Sequence, residues 1–135
     1  MIRLKLKDPF DQVFVNLSLE SPGTGKKRTI DAKVDTGSVV TVVPMYMAEG
    51  LGLDVLETRK LTLANGMSME AYVCNCIVSL SEDDVVEMPI YISKARKGIA
   101  LIGMDILKYC NYVQWHDCDE QGNHIVRFDL ELLSF

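Results

Sequence analysis

The sequence predicts a mostly β fold, a small closed barrel or sandwich. Three observations carry that reading. Apolar-alternating or β-branched segments recur at regular spacing along the chain, turn residues punctuate them, and stretches with helical signals are short. A chain of 135 residues, 48% hydrophobic and 24% charged, fits one domain able to bury a real core.

Residues 1–7 alternate apolar and basic side chains and suit an edge strand. Residues 10–19 alternate as a second strand. Ser21-Pro22-Gly23-Thr24-Gly25-Lys26-Lys27 is a turn-rich connection. Its Gly25-Lys26 pair does not make a phosphate loop, because Glu20 stands where the first glycine belongs and Lys27 replaces the magnesium-binding hydroxyl. Thr29-Ile30-Asp31-Ala32-Lys33-Val34 alternates as a strand, and Val39-Val40-Thr41-Val42-Val43 reads as another. Between them, once in the chain, stands Asp35-Thr36-Gly37-Ser38, a carboxylate at a tight break between two strands.

Residues 44–49 form a short helical stretch, with Pro44 suited to a first turn and Gly50 and Gly52 ending it. Residues 59–63 make a strand that meets Asn65-Gly66, a strong hairpin signal because both residues tolerate positive φ. Residues 67–80 return as a long strand, 81–84 turn the chain, and 85–92 form the next. Residues 99–102 run into Gly103, after which 104–109 read as a short helix with Asp105 in its first turn, where the dipole favours an acid. The tail reads as a hairpin of 112–115 and 125–133 around Gln121-Gly122-Asn123.

Composition narrows the function. A net charge of −5 with no basic stripe argues against nucleic acid. No apolar run approaches the ~20 residues that span a bilayer, and the first residues lack a signal-peptide core, so no membrane partner and a cytoplasmic location are expected. Reduced thiols follow from that location. Cys74 and Cys76, two apart on a strand, share one face and cannot readily bridge each other. Cys110, His116, Cys118 and His124 match no common zinc spacing, so buried structural thiols and no metal are expected.

Three markers then stand in a telling order: Asp35-Thr36-Gly37-Ser38, the Asn65-Gly66 tip, and Leu101-Ile102-Gly103-Met104-Asp105-Ile106-Leu107. In them the chain resembles a retroviral-type (retropepsin-like) aspartic protease, and the Gly103-Met104-Asp105-Ile106-Leu107 form is closer to cellular and bacterial members than to viral ones. The resemblance covers roughly residues 10–110, with 111–135 a C-terminal hairpin like those of non-viral relatives, in one domain over 1–135. It implies a closed β-barrel or sandwich of that type, one short C-terminal helix and a flap hairpin.

The implied activity is that of an aspartic endopeptidase without a cofactor. Hydrolysis without metal or covalent nucleophile needs one group to deprotonate water and another to protonate the scissile carbonyl. Two close carboxylates do both, because like charges cannot both ionise and one proton is shared. With a single Asp35, the second must come from another subunit, so a homodimer is expected. By the same resemblance Thr36 braces the loops across the dimer axis. Gly37 allows close backbone approach and can offer its N–H to the carboxylate, and Ser38, where viral members commonly carry alanine, has a hydroxyl able to bond Asp35 and favour its charged form, which predicts an acidic optimum. Asn65, Gly66 and Met67 form the flap over an extended peptide or protein substrate, and Ile102 and Gly103 the second motif. Met67, Met69 and Tyr72 line either the cleft or the core, as do Val40, Val42 and Ile102. Competing readings are a non-catalytic dimerisation or peptide-binding module that retains the fold, an Asp35 serving only a local turn, and a zinc-dependent binding domain using the Cys110, His116, Cys118 and His124 set.

Overall fold

A computed structural model describes residues 2–6, 12–62, 66–81 and 84–132. Six strands close on themselves. β2 (Phe14–Glu20) pairs with β3 (Lys27–Val34), followed in order by β8 (Ala100–Ile102), β4 (Val42–Pro44), β7 (Asp84–Ser93) and β6 (Ser68–Ser81). β6 returns to β2 through Ser18↔Ser79, Leu19↔Val78 and Glu20↔Ile77, which removes the barrel's open edges. β5 (Val55–Thr62) pairs with β6 as the outer arm of a hairpin that ends at Thr62↔Ser68.

Alternation places the core. In β2, Val15, Leu17 and Leu19 are buried while Phe14 and Asn16 face outward, the two-residue period of a pleated strand. Leu17, Leu19, Ile90, Ile102, Ile106 and Leu107 are almost wholly buried, each stabilising by about 1.5–3 kcal/mol on transfer grounds. β6 buries Ala71 and Val73 from one face, then Cys74, Cys76 and Val78 from the other. Cys74 and Cys76 therefore share a face as expected, and both thiols are buried.

A second sheet has the order β1 (Ile2–Leu6), β10 (His124–Leu132), β9 (Cys110–Cys118), all antiparallel. β10 occupies its centre, and Val126, Phe128 and Leu130 join the same hydrophobic cluster as the barrel interior. Among the described residues two one-turn helices accompany the sheets: α1 (Met45–Ala48), where the sequence placed residues 44–49, and α2 (Met104–Leu107), shorter than the expected 104–109.

Some expectations shift. β2 begins at Phe14, and Phe10 and Asp11 lie outside the described residues. The strand expected over 39–43 shrinks to Val42–Pro44, and Val39 is 78% exposed. The cause is competition for carbonyls: the amides of Met104 and Asp105 take those of Ser38 and Val39 at 2.8 and 3.2 Å, so this stretch bends instead of entering the ladder. β9 runs longer than residues 112–115. It lies at a sheet edge, which leaves Cys118 exposed and Cys110 half-buried, so the expected burial holds for only two thiols. Among the described residues no helix is long and apolar enough to cross a membrane.

Candidate active site

Asp35 follows the last residue of β3, at the point where β3 and β8 run parallel through Ala32↔Ala100, Lys33↔Leu101 and Val34↔Ile102. Its amide continues that pairing by donating to the Ile102 carbonyl at 3.0 Å. The chain then reverses: the Ser38 amide donates to the Asp35 carbonyl at 3.1 Å, and the Gly37 amide to Asp35 Oδ1 at 2.9 Å. The Asp35 backbone is thus held on both sides of the turn, and its carboxylate accepts the Gly37 amide. A Cβ on Gly37 would sit 3.2 Å from Oδ1, tighter than ordinary contact, so glycine suits the approach. Thr36 and Gly37 are exposed, and Asp35 is half-buried.

Ser38 departs from expectation. Its Oγ donates to the Val40 carbonyl at 2.7 Å and not to the Asp35 carboxylate. A bend at residues 39–40 brings that carbonyl closer to the hydroxyl, so the side chain braces the loop rather than tuning the acid.

Beneath the loop lies the second motif. Ile102 is fully buried and belongs to the core rather than to a pocket wall. Gly103 is in extended conformation (φ −97°), so no backbone strain demands glycine. Space does: a Cβ there would lie 2.4 Å from the Val40 carbonyl oxygen, 2.5 Å from its carbon and 2.9 Å from the Ser38 oxygen. The start of α2 therefore packs directly against the turn that carries Asp35.

Thr41, which had no part in the sequence reading of the site, and Asp105, which stood there only within the second-motif marker and at the helix start, lock this contact. Thr41, fully buried, donates its hydroxyl to Asp105 Oδ1 at 2.7 Å and its amide to Oδ2 at 2.9 Å. The Thr41 oxygen also accepts the Gly103 amide at 3.2 Å. A lone threonine in a run of four valines was the available signal, and Asp105 was read through the helix dipole and as part of the Gly103-Met104-Asp105-Ile106-Leu107 marker, not as a partner of Thr41.

Above the turn opens a cleft of about 470 Å³ lined by Asp35, Gly37, Ser38, Val39, Val40, Val42, Leu61, Met69 and Leu101, with Lys60 and Thr62 at the hairpin side. Val40, Val42 and Met69 thus face the cleft. Gly66 adopts φ +83° at the hairpin end, which suits a turn, and Met67 is exposed; Asn65 lies outside the described residues. Tyr72 points to the other face of the sheet, into a smaller cavity of about 220 Å³ beside Met45 and Ile92. A carboxylate beneath a mostly apolar cleft beside a hairpin suits an extended chain with apolar side chains near the reacting bond.

The imagined zinc set does not converge. Cys110 and Cys118 stand at opposite ends of β9, while His116 and His124 meet across the hairpin at 2.8 Å, and among the described residues no three metal-ligating side chains cluster.

Residues 22–109 match the profile of a family described as gag-polyprotein putative aspartyl protease. No curated protein matches the chain in sequence. Among solved structures, the chain is similar to a retropepsin-like aspartic protease from Rickettsia conorii, with TM-score 0.57 and 17% identity over 93% of this chain and 98% of that one. It is also similar to EIAV protease, solved in complex with the inhibitor HBY-793, with TM-score 0.57 and 10% identity over 75% of this chain and 89% of that one. At such identities the two structures speak for the fold, which is retropepsin-like.

Proposed function

The chain belongs to the gag-polyprotein aspartyl protease family, and on that premise we propose that it is an aspartic endopeptidase that works as a homodimer. The observation that carries the reading is the seating of Asp35 at the base of an apolar cleft, by a turn that occurs once in the chain. One carboxylate performs half of the chemistry. A two-fold axis beside the exposed Thr36 would bring Asp35 of the partner subunit next to it, and the pair would share a proton.

In the proposed cycle the ionised Asp35 takes a proton from water as the water oxygen attacks the scissile carbonyl carbon. The protonated Asp35 donates to the carbonyl oxygen, giving a tetrahedral diol. Its collapse breaks the C–N bond: the amine leaves with the proton taken from water, and a diol hydroxyl returns its proton to the other carboxylate, so the dyad recovers its single shared proton. Such a pair titrates with macroscopic pKa values that belong to both members. The hairpin of β5 and β6 covers an extended peptide, excludes water and meets its backbone as a neighbouring strand does. Four free cysteines fit a reducing, cytoplasmic setting.

Asp35→Asn tests the reading. It keeps the Gly37 hydrogen bond and removes the acid–base function, so cleavage of a peptide library at mildly acidic pH should fall by at least about 10³-fold with the thermal melt retained. Undiminished cleavage would refute catalysis by Asp35. An inactive wild type whose peptide binding is indifferent to Asp35→Asn would favour a binding module.

A further inference from the structure

Two members of the unconverged zinc set still meet. His116 and His124 join across the hairpin of β9 and β10, with His116 Nδ1 2.8 Å from His124 Nε2. Their ring centroids lie 4.9 Å apart and the ring planes are inclined by 28°. The strand register explains the meeting. It sets His116 opposite Val126 and His124 opposite Cys118, so the two rings take diagonal positions on one face of the hairpin. They are the chain's only two histidines, and both are exposed.

A contact of this kind needs one ring to donate its N–H and the other to accept through a lone pair. Two ligand nitrogens are therefore gathered at one point, and the Asp35 site uses neither. The neighbouring acids are committed elsewhere. Asp117 falls on the opposite face of β9 and takes Arg127 Nε at 2.6 Å, while Asp119 accepts the Gln121 and Asn123 amides in the turn.

We propose that His116 and His124 together bind one borderline divalent transition-metal ion, zinc being the representative, with water completing its shell. At a zinc–nitrogen distance of about 2.0–2.1 Å, two ligands of a tetrahedral ion stand about 3.3 Å apart. The pair need open by only about 0.5 Å as the rings tilt outward, and their exposure leaves that tilt unopposed by packing. The donating ring shifts its proton to its other nitrogen, so both contact nitrogens offer lone pairs. Imidazole suits zinc, copper or nickel rather than magnesium or calcium. Cys118 is exposed and opposite His124, yet among the described residues no third ligand clusters with the pair, so the site is assigned to the two histidines alone. The bound ion clamps β9 to β10 beside their turn.

The test titrates zinc chloride into the tag-free full chain carrying Cys118→Ser, which removes the exposed thiol. Calorimetry should show saturable binding of one ion per chain, and Tm should rise with zinc because the ion favours the folded hairpin. The imidazole nitrogen resonances of both histidines should move over the same range of added zinc. His116→Ala and His124→Ala in that background should each weaken binding at least about tenfold, with the circular dichroism spectrum retained. A Cys118→Ser chain that binds no zinc, binding that leaves the imidazole resonances unmoved, or alanine variants that bind as tightly as their parent would each overturn the proposal. Binding present in the wild type and lost in Cys118→Ser would assign the ion to the thiol and overturn it equally.

Discussion

Replacing Gly103 with alanine isolates the contact between α2 and the Asp35 turn. The backbone conformation at 103 is open to alanine, and fewer unfolded states would favour the variant by about 0.4–1 kcal/mol. Against this stands the added methyl, 2.4 Å from the Val40 carbonyl oxygen where ordinary contact begins near 3.4 Å. The 38–40 loop must retreat by about 1 Å, and it cannot do so freely, because the Met104 amide holds the Ser38 carbonyl at 2.8 Å. Overpacking of this kind costs about 1–3 kcal/mol, which exceeds the entropic gain. The expected net is a destabilisation of about 1–2 kcal/mol and a Tm lowered by roughly 3–7 °C, read by differential scanning calorimetry. If Asp35 is the catalytic acid of the proposed function, a displacement of that size costs on the order of 10²-fold, and kcat/KM for a peptide should fall with it. An alanine variant as stable as wild type, or more so, would refute the packing argument whatever its activity.

Thr41→Val keeps the shape and deletes the hydroxyl, leaving Asp105 Oδ1 and the Gly103 amide short of a partner. Urea unfolding should show a loss of about 1–3 kcal/mol that Thr41→Ser largely recovers. Alkaline stability follows from Cys76, whose burial pushes the thiol from 9.0 up to about 11. Above pH 9 the unfolded chain releases this proton while the folded one keeps it, so stability is complete below 9 and declines through 11. The decline from this thiol is about 3 kcal/mol in full, and Cys76→Ala should flatten the slope of unfolding free energy against pH between 8 and 10.5 relative to wild type.

Much of the fold could be read from local chemistry. β2 and β6 announce themselves because a half-buried strand forces a two-residue rhythm on its side chains. The Asp35 turn was legible because glycine and a backbone-bonded acid mark a tight reversal. What escaped was set by distant partners. Val39 and Val40 have strand chemistry, yet the α2 amides claim their neighbourhood's carbonyls. Ser38 has a carboxylate three residues away, yet its hydroxyl finds the Val40 carbonyl. Cys118 resembles its buried counterparts in sequence, and only its place on an edge strand exposes it.

The Thr41–Asp105 link joins positions 64 apart. A chain emerging from the ribosome consequently carries the Asp35 turn without this brace until more than three-quarters of the polypeptide has been made. Contacts of such long sequence separation form late, so the Asp35 turn gains its brace only after residue 105 has been synthesised and α2 has docked.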